Sequence, residues 1–172
     1  MSKKENITTL SKVKKDFDFI GLLKNIALPL GGGIIVGLLT KGTMDTYDKL
    51  KKPMFTLPNI VFPIVWILLY IFIGVAAYKI YEKNKRGLND SGAYFYYLVQ
   101  LLINLLWPFL FFSFRLYGVA FIIIIILLVL VVITVIKFYK SDKIAGILLI
   151  PYILWLFYGT ILNYYIWILN EA

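Results

Sequence analysis

The sequence predicts an all-α membrane protein, a bundle of five transmembrane helices, and three observations predict it. The 172-residue chain is 61% hydrophobic and only 16% charged, with mean hydropathy +0.85, whereas soluble domains carry roughly 25% charge. Five apolar windows, at 20–40, 60–81, 93–114, 117–137 and 144–168, contain no Asp or Glu. The Lys and Arg residues fall unevenly between alternate links, as the positive-inside rule expects of a polytopic chain.

Each window is long enough to cross a hydrocarbon layer of ~30 Å at ~1.5 Å per residue, and inside hydrocarbon the backbone must satisfy its own hydrogen bonds. The windows are therefore read as helices, even the β-branched run FIIIIILLVLVVITVI at 121–136. A basic tail, residues 1–19, precedes a membrane domain over 20–170. No small-residue cleavage pattern follows the first apolar run, so the tail is read as cytoplasmic rather than as a removable signal. Thirteen Lys and Arg lie in the tail, around the second-to-third link and around the fourth-to-fifth link; Lys41, Lys49, Lys51, Lys52 and Arg115 lie on the other side. This places the N-terminus in the cytoplasm and the C-terminus outside. The usage of Lys, Ile and Asn points to an AT-rich bacterium and hence a cell membrane.

The link between the first two spans ends in KKPMFTLPNIVFPIVW (51–66). Pro53 and Pro58 restrict it, and Pro63 falls in the first turn of the second helix, where a missing N–H costs little. An ordered loop over the helix ends is a lid. Within the spans, polar and aromatic residues recur at four-residue intervals: Trp66, Tyr70 and Gly74 in the second, Gln100, Asn104 and Pro108 in the third, beside Trp107, and Trp155, Gly159 and Asn163 in the fifth. These stripes fit the lining of an apolar small-molecule pocket. Asn104 and Gln100 read equally well as hydrogen bonds between helices. Gly33 and Gly37 form a small-xxx-small helix contact, Lys24 snorkels, and Tyr164, Tyr165 and Trp167 belong to an interfacial belt.

Several functions are excluded. The chain has no Cys and no His, which removes disulfides, thiolate chemistry and the usual neutral-pH proton carrier. No nucleophile–base set, carboxylate pair or phosphate-binding loop appears, and no metal site or required cofactor is expected. Spans free of Asp, Glu and His argue against an ion-coupled transporter. The net charge of +9 reflects topology and headgroup contact rather than nucleic-acid binding.

Three segments carry a resemblance: GLLTKGTMDTYDKLKKPMFTLPNIVFPIVWILLY (37–70), LVQLLINLLWPFLFF (98–112) and LLIPYILWLFYGTILNYYIWILN (148–170). In order and spacing they resemble the TspO/MBR family of tryptophan-rich sensory and translocator proteins, over about 26–170. The resemblance implies a five-helix, usually dimeric protein whose pocket, capped by the first loop, takes porphyrins such as haem and protoporphyrin. It carries ligand contacts onto Tyr47, Phe55, Pro58, Trp66, Tyr70, Asn104, Trp107, Trp155 and Gly159. Light-dependent porphyrin degradation and passive transport of a small amphiphile are the alternative activities. The loop reads MFTLP where the family often has SWTPP, so Phe55 replaces a tryptophan and Leu57 a proline, and Pro108 stands where serine is common. A sterol-type pattern lacks its basic residue after Leu162 and Tyr164.

Overall fold

The structure, a computed structural model, describes residues 17–87 and 92–171. The tail expected over residues 1–19 lies outside the described residues as far as residue 16. Five helices are long and apolar enough to span a membrane, and the described residues contain no strand. Helix α1 is Phe19–Thr40; a 3₁₀ turn (Lys41–Thr43) and the short α2 (Met44–Asp48) open the lid; α3 is Val61–Lys85. Helix α4 (Ala93–Pro108) runs into a π turn (Phe109–Ser113), and α5 is Tyr117–Ser141. The last span is two helices, α6 (Lys143–Leu148) and α7 (Ile150–Asn170).

Proline chemistry explains the irregular points. Pro151 has no N–H to give to the Ile147 carbonyl, and the fifth span, expected as one helix, is interrupted just before it. Pro108 likewise cannot donate to Asn104, and the chain widens at once into the π turn. Pro29 leaves the Asn25 carbonyl without its helical partner. That carbonyl lies against Gly74, where an added Cβ would sit 2.8 Å from it and 2.5 Å from Ile26 Cα.

The helices close into a ring in the order α1, α3, α6–α7, α5, α4. The two ends of this ring are held differently. At the end away from the lid, small residues let backbones approach: Ala76, Ala77, Ala93 and Ala145 are fully buried, and a Cβ on Gly146 would meet Tyr139 Cα at 2.7 Å. Such close packing is the main source of helix association where lipid removes the hydrophobic drive. Two N-caps double as ion-pair partners here. Asp18 accepts from Gly21 N–H (2.7 Å) and pairs with Lys85 (2.8 Å); Asp142 accepts from Ala145 N–H (3.0 Å) and pairs with Lys79 (3.5 Å). The Lys85 hydrogen bond, then the Gly21 N–H, hold the Asp18 carboxyl below its usual value. Partial burial pushes Asp142 up, but the Ala145 N–H and Lys79 outweigh it, and the net shift is downward.

Toward the lid the packing opens. Close backbone approach between α3 and the last span is concentrated in α6, so α3 and α7 diverge as a wedge. Aromatic side chains fill it.

Candidate ligand site beneath the lid

The wedge is built by residues from α3, α4 and α7. Trp66 stacks on Tyr70 (centroids 5.3 Å, 29°) and meets Tyr152 edge-on at 6.1 Å. Nearer the lid, Phe62 meets Trp155 edge-on at 5.6 Å, and Trp155 tilts on Tyr158 at 5.4 Å. Edge and offset contacts of this kind are each worth about 0.5–1.5 kcal/mol beyond burial. Tyr70 reaches its place because Gly33 has no side chain: its ring occupies the space a Cβ there would need.

A directed chain of hydrogen bonds runs along the floor. Tyr70 OH donates to Asn104 Oδ1 (2.8 Å), Asn104 Nδ2 donates to Tyr152 OH (2.8 Å), and Tyr152 OH donates to Gln100 Oε1 (3.1 Å). All four residues are buried, so the chain satisfies polar groups that would each be costly alone in this setting.

The lid is tied mainly to α7. Tyr158 OH accepts from Leu57 N–H at 3.1 Å and donates to the Phe55 carbonyl at 3.4 Å. The Asn170 amide accepts from Lys51 N–H and donates back to the Lys51 carbonyl, both at 2.9 Å. Phe55 rests edge-on against Tyr165 at 5.4 Å and Tyr158 at 6.5 Å. Pro58 contributes its carbonyl to Val61 N–H at 2.9 Å and so starts α3. Within the lid, Asp48 accepts from Asn59 (2.6 Å) and Lys52 (3.4 Å), and the Asn59 bond holds its carboxyl below the usual range.

Apart from Pro58, which serves the start of α3, the residues expected at the site divide into three groups. Trp66, Tyr70, Asn104 and Trp155 line or floor the wedge, and Phe55 sits at its margin against Tyr158 and Tyr165. Tyr47 instead packs in a neighbouring cluster with Phe111 and Phe112 (6.2 and 5.6 Å) under the Lys52 ammonium, 4.0 Å above its ring. Burial pushes its phenol up to about 12, and its hydroxyl has no hydrogen-bond partner. Trp107 touches both clusters; it stacks on Phe111 at 5.0 Å and donates to the Ala120 carbonyl at 3.0 Å. Gly159 faces α5, where a Cβ would meet Ile124 Cδ1 at 3.4 Å, and Asn163 donates to the Tyr117 carbonyl on the same helix.

The four-residue stripes therefore do not each stay on one face. A step of four advances about 40° beyond a full turn, so Trp66 faces α7, Tyr70 faces α4 and Gly74 meets α1. The Gly33–Gly37 expectation is half corrected: Gly33 receives Tyr70, while Gly37 is exposed and a Cβ there would meet nothing within 4 Å. Tyr152, Tyr158 and Asn170 went unrecognised as site residues. The signal for two of them was present at three-residue spacing on either side of Trp155.

Fold and site together define a multi-pass integral membrane protein whose spans converge polar and aromatic groups beneath one lid. Residues 25–168 match the model of the TspO/MBR family, and the chain belongs to that family. It is 33% identical over 154 residues to the tryptophan-rich protein TspO of Archaeoglobus fulgidus, covering 89% of this chain and 99% of that one. It is 34% identical over 120 residues to the tryptophan-rich sensory protein of Cereibacter sphaeroides (70% and 73% covered). It is 30% identical over 150 residues to the translocator protein of Bos taurus (84% and 87%).

Proposed function

We propose that this protein binds a porphyrin, haem or protoporphyrin, in the wedge beneath the lid and serves a sensory or regulatory role. The observation that carries the reading is the wedge itself. Two helices held apart by aromatic rings, over a floor of oriented hydroxyl and amide groups, can exchange ring–ring contacts for a flat aromatic ligand. The macrocycle stacks against Trp66 and Trp155, with Phe55 at the α7 margin beside it. No His or Cys is available as an axial ligand, so stacking and hydrogen bonds hold it. Lys52 is engaged by Asp48 and Tyr47, which leaves exposed Lys51 as the partner for a propionate. A crevice under the first part of the lid lies over the Tyr47–Phe111–Phe112 cluster, not in the wedge, and the wedge is filled by rings in mutual contact. Porphyrin entry therefore requires the lid to move.

In this reading the protein works as a dimer in a bacterial cell membrane, with the lid on the outer side and the N-terminus in the cytoplasm, as the Lys and Arg distribution supports. The test is protoporphyrin titration of purified protein read by tryptophan quenching, with Trp66→Phe and Asn104→Ala alongside. Saturable one-site quenching weakened by both variants supports the reading. Linear quenching indifferent to both sinks it. Spectral loss of bound protoporphyrin under light, dependent on the protein, would move the assignment to the degrading enzyme.

A further inference from the structure

Phe55 is placed beside the wedge rather than over its centre. Its two ring partners lie on the margin of α7: Tyr158 is half-buried, and Tyr165, 43% exposed, faces outward with Phe157 and Leu154 about two and three turns below. Phe55 is itself 44% exposed, and its neighbour Met54 is fully so. Across the gap, partly buried Val61 and Val65 border it on the side of α3 away from α1, while exposed Ile64, Ile67 and Leu68 lie about 100–160° around the helix from Trp66 and face hydrocarbon elsewhere. The wedge is thus flanked by apolar side chains on both helices, and Phe55 with Tyr158 closes the margin between it and the surrounding hydrocarbon.

From this we infer that the wedge opens sideways, into the bilayer between α3 and α7, with Phe55 as the gate and the Tyr158 hydroxyl as its latch. The latch is specific. One hydroxyl holds both the Phe55 carbonyl and the Leu57 N–H, so its loss frees the strap on both sides of the gate. Asn170 and Arg115 still anchor the lid elsewhere, through Lys51 and Thr46. The motion is a local swing of residues 53–58, not removal of the lid. A ligand entering this way is membrane-dissolved, flat and apolar along its leading edge, and any charged substituents trail at headgroup level beside Lys51. The ligand's identity rests on the porphyrin reading; the direction of opening does not, and the experiment separates them.

The protein is placed in phosphatidylcholine nanodiscs whose acyl chains carry bromine, a short-range fluorescence quencher confined to hydrocarbon. The W107F/W167F background leaves Trp66 and Trp155 as the only tryptophans. Adding Phe55→Ala or Tyr158→Phe raises acyl-bromine quenching of this pair roughly twofold or more, since two hydrogen bonds or the gate ring are lost. Quenching by aqueous iodide stays unchanged. A rise in iodide quenching without a rise from bromine means the site opens upward to water and overturns the inference. So does indifference to both quenchers. If the background folds poorly by circular dichroism, the same comparison is made with all four tryptophans present. The bromine increment must then vanish in W66F/W155F, and an increment that persists there also overturns it. No porphyrin is present, so failed porphyrin binding leaves this outcome untouched, and the reverse holds.

Discussion

The two ends of this bundle solve the problem of holding helices together in opposite ways. Away from the lid, Gly74 sits on the α1 backbone, Gly146 sits on Tyr139, and four alanines are fully buried. Toward the lid, α3 and α7 stand apart and Phe62, Trp66, Tyr152, Trp155 and Tyr158 occupy the space. Backbone-to-backbone packing admits no substitute. Ring-to-ring packing can be replaced by another ring. The first end is a hinge-free base, and the second is where, in the proposed reading, a ligand takes the place of protein.

The largest effect expected from this contrast is at Gly74. Gly74→Leu forces a side chain into the α1 backbone, and the cost exceeds the ~1–3 kcal/mol of ordinary overpacking; the folded fraction in detergent gel filtration collapses. A variant that keeps its wild-type thermal midpoint would break the comparison. Next is Asn104→Leu, which strands the Tyr70 hydroxyl and leaves Tyr152 bonded to Gln100 alone. Interhelical hydrogen bonds in membranes are worth about 0.6–2 kcal/mol each, so the thermal midpoint falls measurably while the protein still folds.

Trp66→Phe sharpens the contrast further. Losing part of one stacked pair costs about 1 kcal/mol of stability or less, yet protoporphyrin affinity falls severalfold if the wedge is the site. Equal affinity with lower stability would reassign Trp66 to packing alone. A smaller effect comes from pH. The Asp18 and Asp142 carboxyls are held below 3.8 in the folded protein, so the stability they contribute is full above their unfolded values and is lost as pH falls through the folded ones. Asp142→Asn keeps an N-cap but removes the charge, flattens the stability profile below about pH 4, and costs at most about 1 kcal/mol at neutral pH. Smallest is Gly159→Ala, where a Cβ meets only a flexible Ile124 methyl at 3.4 Å; thermal midpoint and ligand affinity stay as they are.

The five spans were legible because hydrocarbon demands long apolar helices, and their starts fall within a residue or so of expectation. The ends were less so. Helices α3 and α5 run four residues past the apolar windows, through Lys83 and Lys85 and through Lys140, because a helix need not stop where hydropathy does. The site was legible as residue types but not as a surface. Spacing by four located Trp66, Tyr70 and Asn104, yet it concealed the drift that turns Gly74 to α1 and Gly159 to α5. Tyr158 and Asn170 act on backbone atoms more than 100 residues away, and no local pattern announces a partner at that range.

The chain from Tyr70 through Asn104 and Tyr152 to Gln100 has a sense of travel, because every proton in it points the same way. Neighbouring dipoles in such a row polarise one another, and one member turned backwards leaves two lone pairs, or two protons, face to face. The row therefore reverses as a whole or not at all. A group that arrives at the Tyr70 end and demands the opposite polarity is felt at Gln100, three residues and one helix further on, without any helix having moved.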